Sequence, residues 1–314
     1  MKHIFRPGPG RRGIAMGAAL ISVALTGTLL AKTFGDWGVP VSAELGSDPT
    51  LNSPFSDGCP IMSPDGLSLY TASNRPGSIN GSLDIWVAHR DSTTSGWGAP
   101  EPLPAPINTA DNEYCPDPVR GKGLFFVRAP AGTMNGDIYR SRLGTAGWDE
   151  PELLSANVNS PAQEWSPAYF EDDAGNQVLY FSSTRSGRQA IYSSVNFGPA
   201  QPVAELNADG DAARPNVSRD GREIVFDSNR SPNLGTGTQD VWSASRNSTS
   251  EPWSAPEHLA SVSSPANDTR ASLSWDGTFL LVGSNREGSE LGSNGAASVD
   301  VYVSTRPRVL GNGR

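Results

Sequence analysis

The chain is poor in the side chains that most metal-dependent and hydrolytic chemistry uses. Its 314 residues include two cysteines and three histidines. His3 precedes an apolar N-terminal run, which leaves His89 and His258 for a folded domain. Both stand on what read as outer-strand phrases. They cannot form a His-rich zinc set, and a Ser-His-Asp triad needs a histidine at the rim of a site. Asp209-Gly-Asp211 has the flavour of a calcium loop without its twelve-residue ligand pattern. No metal and no cofactor is expected. Charge is scarce too: Asp, Glu, Lys and Arg make up 18%, with a net charge of −9. That balance argues against nucleic acid or an anionic membrane surface as partner.

One long apolar run is present, Gly13–Ala31, behind Lys2, Arg6, Arg11 and Arg12. Basic residues before such a run read as an export signal, and the run is also long enough for an uncleaved anchor. No cysteine follows it, which argues against a lipoprotein. Residues 1–32 therefore place the protein in the periplasm, outside the cell, or anchored to the outer face of the cytoplasmic membrane. This segment is the expected membrane contact.

What the chain has in quantity is turn chemistry, with 34 glycines and 26 prolines, and a repeat of roughly 50 residues. One marker of the repeat is an aromatic-Pro phrase: Trp37-Gly-Val-Pro40, Trp97-Gly-Ala-Pro100, Trp148-Asp-Glu-Pro151, Phe197-Gly-Pro-Ala200 and Trp253-Ser-Ala-Pro256. A second runs in step with it: Asp84-Ile-Trp86, Asp137-Ile-Tyr139, Ala190-Ile-Tyr192, Asp240-Val-Trp242 and Asp300-Val-Tyr302. Repeats of this size with several short strands each predict β-propeller blades. Each unit reads as four strands. The first follows an acid and precedes a Pro, the second is apolar, the third carries the Asp marker, and the fourth follows the Trp phrase. The chain begins with a fourth-strand phrase at Trp37 and ends with a third strand at Asp300. The N-terminal strand is therefore expected to complete the last blade and remove the open edges. The prediction is an all-β, five-bladed propeller over residues 33–306 with a tail at 307–314.

Ser63-Pro-Asp-Gly66, Leu69-Tyr70, Ser73-Asn-Arg-Pro-Gly77 and Asp84-Ile-Trp86 together resemble the WD-like repeat of TolB-type propellers. The second unit departs from it, with Pro130 where the repeat has Arg. That family is largely one of scaffolds and binding proteins, TolB being a periplasmic partner of envelope proteins. The resemblance implies a monomeric, non-enzymatic scaffold for an envelope protein or a glycan, but its blades also occur in lyases and peptidases. A five-bladed glycoside hydrolase of the arabinanase type is the competing expectation.

Candidate site residues follow from the repeat. An acid before the first strand recurs with an Arg after the second: Asp57 with Arg75, Glu164 with Arg185, Asp211 with Arg230, and Asp268 with Arg286. Adjacent strands in a blade are antiparallel, so each pair should meet as a structural ion pair at one rim. Glu113 has lost that Arg and is open to a ligand, a metal or the neighbouring Arg128. Tyr114 and Trp165 are rings at equivalent positions. The loops that follow the second strands are long in units four, five and one, which predicts a lower gap over blades two and three. Glu113, Tyr114, Glu164 and Trp165 form the expected ligand site, since ring faces beside carboxylates suit a sugar or a peptide. The alternative is that both rings pack beneath loops. For a hydrolase, Glu113 would be the acid and Asp57 or Glu164 its counterpart, at roughly 5 to 9.5 Å. That role predicts a raised Glu113 pKa. Cys59 and Cys115 share one repeat position in adjacent blades, open to a disulfide or to two buried thiols.

Overall fold

The structure is a computed structural model, and it describes residues 34–121, 123–236 and 238–309. Residues 1–33, which hold the expected export signal or anchor, and residues 310–314 lie outside the described residues. No helix among those described is long and apolar enough to cross a membrane.

Five antiparallel sheets form five blades. Blade one is β2 (Asp57–Met62), β3 (Ser68–Ser73), β4 (Asp84–His89) and β5 (Glu101–Pro102), and β1 (Val41–Ser42) lies ahead of it in the chain. Blade two is β6 (Asn112–Val119), β7 (Gly123–Ala129), β8 (Asp137–Gly144) and β10 (Glu152–Leu153), with β9 (Gly147–Trp148) folding back on β8. Blade three is β11 (Glu164–Glu171), β12 (Gln177–Ser183), β13 (Ala190–Val195) and β14 (Gln201–Pro202). Blade four is β15 (Ala212–Val217), β16 (Glu223–Ser228), β17 (Asp240–Ser245) and β18 (Glu257–His258). Blade five is β19 (Asp268–Leu273), β20 (Phe279–Ser284) and β21 (Asp300–Thr305), completed by β1. Val41 pairs with Val303 and Ser42 with Tyr302, which is the predicted closure.

Core side chains fill the spaces between blades, because every strand but the outermost is covered on both faces. Phe126, Phe181, Phe226, Ile85, Ile138 and Ile191 are fully buried. Each Asp-Ile-Trp type marker places its aliphatic residue in this core. The fourth strands are short and exposed, and proline ends two of the edge pairings, where a missing N–H costs no ladder bond.

Two devices common to the blades are not obvious in the sequence. The first is an asparagine in the loop that enters each of blades one to four. Asn108 accepts from Ile85 N–H at 2.9 Å and donates to Ile85 C=O at 2.9 Å. Asn52, Asn159 and Asn207 bind Val301, Ile138 and Ile191 in the same way. Ser263 takes over the acceptor half at Val241. A side-chain amide thus supplies the ladder bonds that a short fourth strand leaves unmade.

The second is a β-bulge in every innermost strand. The register shifts between Gly58 and Ile61, Tyr114 and Asp117, Trp165 and Ala168, Ala213 and Asn216, and Thr269 and Ser272. At each shift one residue has left-handed backbone: Cys59 (φ 51), Cys115 (φ 48), Ser166 (φ 50), Arg214 (φ 53) and Arg270 (φ 58). For non-glycine residues this costs on the order of 1 kcal/mol each. Its return is a ring of five side chains around the axis.

Candidate functional site: rim nodes and the axial ring

The acid–arginine pairs form at the rim in four blades. Arg75 meets Asp57 at 2.5 Å, Arg128 meets Glu113 at 2.7 Å, Arg185 meets Glu164 at 2.9 Å and Arg286 meets Asp268 at 2.5 Å. All four carboxylates are fully buried. Each also takes hydroxyl or backbone donors from the loop before it. Thr109 donates from both N–H and Oγ1 to Glu113, and Ser160 and Ser264 do the same for Glu164 and Asp268. The arginines reach on to loop carbonyls, as Arg75 does to Thr50 and Leu51. Every node therefore ties a first strand, a second strand and an entering loop together.

This geometry decides one expectation and corrects another. Of the ligand, metal or Arg128 open to Glu113, it is Arg128 that meets it. Arg128 stands directly opposite it in the ladder, where the other blades carry Ser73, Ser183, Ser228 and Ser284, and its Nη2 donates to Pro106 and Ile107 carbonyls. The arginine has moved two residues along the strand and kept its task. Asp211 does not pair with Arg230. The register aligns Ala212, not Asp211, with Asp57, since Ala212 faces Ser228 as Asp57 faces Ser73. Arg230 is buried with Ser228 and the Leu206 carbonyl, and among the described residues no carboxylate forms a direct ion pair with it, though Asp209 acts on its charge. Burial lowers its pKa.

The expected ligand site is closed to solvent. Glu113 and Glu164 are fully buried, and Tyr114 and Trp165 are 3% and 6% exposed. Both rings belong to one core cluster with Phe125, Ile138 and Phe181. Tyr114 Oη donates to the Met134 carbonyl at 2.9 Å, so its ring props the short loop of blade two from below. Burial pushes the phenol up to about 12. The short loops thus cover the rings instead of leaving a gap. Burial also raises the Glu113 pKa, against the pull of Thr109 and Arg128. Asp57, at the equivalent place in blade one, shifts the same way for the same first reason. The shift reflects the node and does not single out Glu113 as a catalytic acid.

Cys59 and Cys115 are joined as a disulfide, with Cα atoms 4.9 Å apart. They supply two of the five axial positions. Ser166 Oγ donates to Cys115 Sγ at 3.2 Å and closes the third. Blades four and five bring Arg214 and Arg270 instead. Arg214 Nη1 donates to Asp227 Oδ2 at 2.5 Å and to Gln239 Oε1 at 2.8 Å. The other Asp227 oxygen accepts Arg270 N–H at 3.0 Å. Burial, with Arg214 beside it, lowers Arg270 to about 10. The ring residues line an open pocket of about 30 Å³, together with Asn216, Ser272 and neighbouring prolines. Among the described residues no three His, Cys, Asp or Glu side chains converge to hold a metal.

The loop face is apolar in places. Phe55, Ile79, Met134, Leu234 and Leu291 are all exposed there, Leu291 by 62%. Phe55 and Leu291 line a groove of about 520 Å³ between blades five and one, with Pro54, Asn74, Asn294 and Val299. The long loop of blade five forms its wall, held by the Leu291–Ala297 bridge. Sequence reasoning missed this groove. Unequal loop length was its signal, and the reading placed the opening where the loops are short.

No protein family and no curated protein sequence matches this chain. Solved structures do resemble it in fold. The TolB structure from Acinetobacter baumannii aligns over 86% of this chain and 63% of its own length, at 16% identity and a TM-score of 0.49. The chain thus spans less than two thirds of that protein. The GH43 endo-arabinanase from Bacillus licheniformis aligns over 82% of this chain and 94% of its own, at 13% identity and TM-score 0.52. An exo-1,5-α-L-arabinanase from a bovine ruminal metagenomic library aligns over 84% and 97%, at 12% identity and TM-score 0.54. The likeness to the two arabinanase structures is one of fold alone.

Proposed function

We propose that the chain is an exported, non-enzymatic propeller that binds a protein partner on its loop face, as a TolB-like scaffold would. The observation that carries this reading is the fate of the carboxylates. Glycoside hydrolysis needs an acid and a base or nucleophile that both face the sugar. Asp57, Glu113 and Glu164 are instead fully buried, each spending its oxygens on its own blade's arginine and on hydroxyl donors. Among the groups that face solvent on this side are five large apolar ones, Phe55, Ile79, Met134, Leu234 and Leu291, beside charged ones such as Asp209 and Glu290. Exposed apolar side chains gathered on one face suit contact with another protein. Glu113, Tyr114, Glu164 and Trp165 serve this face from beneath, by fixing the loops that carry Met134 and its neighbours.

The test immobilises the full chain against envelope extract and, in parallel, against a glycan array with product analysis. The expected result is a protein partner captured by the wild type and lost in a Phe55→Ser, Leu291→Ser double variant that melts normally. Released sugar product would overturn the reading in favour of a glycosidase. A glycan retained without turnover would replace the protein partner with a lectin role.

A further inference from the structure

We propose that the axis of the propeller is a binding site for a small inorganic anion of halide size, held by Arg270 and Arg214. The argument begins with Arg270. Its side chain lies on the axis, and among the described residues its guanidinium donates to no acceptor, with a buried Nε that has no partner. A guanidinium carries five donors and stays charged. Arg270 is part-buried, and it is the buried Nε that is left unserved, which is costly and rare in native structures.

The fold makes room for this arginine. A Cβ on Gly58 would stand within contact of Arg270 Nη1, so the glycine of the neighbouring blade clears the guanidinium's path. The equivalent positions carry Tyr114, Trp165, Ala213 and Thr269. Gly58 is not in left-handed backbone, so space and not conformation explains it.

Charge on the axis is also out of balance. Two arginines face one carboxylate, Asp227, and Asp227 is spent: Arg214 Nη1 takes one oxygen and Arg270 N–H the other. Asp117, at the place of Asn216 in blade two, receives Tyr169 N–H at 2.7 Å and stands outside the pocket lining. The pocket of about 30 Å³ exceeds the ~10–15 Å³ that one water needs, and it offers Ser166, Asn216 and Ser272 as polar lining beside the arginines. That space admits a monatomic anion with a water or two.

The experiment uses the full chain with chloride and bromide as probes. Excess broadening of the ³⁵Cl resonance is measured in wild type and in Arg270→Met, with gluconate maintaining ionic strength. The expected result is broadening that bromide competes away and that is mostly lost in the variant. A folded Arg270→Met that broadens chloride as the wild type does overturns the proposal. Should that variant not fold, wild-type crystals soaked in bromide decide the matter. An anomalous peak between Arg214 and Arg270 supports the site, and an axis without one removes it.

Discussion

Blades three and four build the same junction from different residues. In blade three, Glu164 gathers Ser160, Ser183 and Arg185 into one node. In blade four the positions of Glu164 and Ser160 are Ala212 and Ala208, while Ser228 and Arg230 remain. Blade four does have an internal acid, but it sits one residue before Ser228, as Asp227, and faces the axis. The matching positions elsewhere are Ala72, Val127, Ser182 and Gly283. A carboxylate has thus been lost at the rim and gained at the centre. The difference teaches that the rim nodes are scaffold, which one blade can run without, whereas the axial charges belong to one side of the ring alone.

Breaking a complete node should have the largest effect. Glu164→Ala strips the fully buried carboxylate from a half-buried Arg185 and from three hydroxyl and amide donors. Removing one partner of a buried pair typically costs 3–5 kcal/mol. Chemical denaturation should show a loss in that range with no change in slope. A loss below ~1 kcal/mol would mean that Arg185 relaxes into solvent and that the node is not structural.

The disulfide tests the opposite side of the axis. Cys59 and Cys115 close a loop with a sequence separation of 56. Chain entropy alone puts the cross-link at about 4 kcal/mol, an upper figure since measured gains often fall short. Replacing both cysteines by serine should lower stability by roughly 2–4 kcal/mol while leaving anion broadening unchanged. Lost broadening would show that the covalent side also shapes the arginine side.

Blades two and four offer a subtler comparison at the base of the channel. Asn216 accepts Leu273 N–H at 2.9 Å, and Asp117 accepts Tyr169 N–H at 2.7 Å. The geometry is shared, but burial pushes Asp117 up to about 8. From roughly pH 4, where an unfolded Asp ionises, to about 8, the folded chain keeps a proton that the unfolded chain has released. Stability from this group therefore falls as pH rises across that window. Asp117→Asn copies blade four and should leave stability near pH 4 unchanged. At pH 9 it should stabilise by at least ~1.4 kcal/mol, the worth of one pKa unit. Parallel pH profiles for variant and wild type would show that Asp117 ionises normally.

The fold was legible because its markers are about packing. The Trp phrase and the Asp-Ile-Trp phrase recur wherever a strand must fill the same inter-blade space, so periodicity alone gave five blades and their closure. The site was less legible because its residues were counted from sequence landmarks, and register depends on hydrogen bonds. Counting four back from Pro215 led to Asp211, whereas three back, as from Pro60 and Pro116, gives Ala212. Arg128 was named only as one of three partners open to Glu113, for a related reason. A long side chain two residues away reaches the same carboxylate, and a motif search has no sense of reach. The axial ring carried a weak signal, an Arg in Arg214-Pro215 and Arg270-Ala271 where other units have Cys or Ser. Only the bulge, with its left-handed residue, turns that position inward.

Restoring the missing acid sharpens the first comparison, with the smallest expected effect. Ala212→Asp places a carboxylate where Asp57 and Asp268 stand, opposite Ser228 and two residues in ladder position from Arg230. Burying a new charge is costly, but Arg230 is already buried, and the one carboxylate that acts on its charge, Asp209, does so without a direct ion pair. The pair should therefore form with a net gain of about 1 kcal/mol, seen as a higher denaturation midpoint at constant slope. Adding Ala208→Ser supplies the loop hydroxyl that Ser160 and Ser264 give their acids, and it should raise the midpoint again. The gain should vanish in an Arg230→Met background, because the carboxylate would then be buried alone. Destabilisation by Ala212→Asp with Arg230 intact would mean that the loop around Asp209 already serves the arginine's charge, and that blade four has replaced the node instead of losing it.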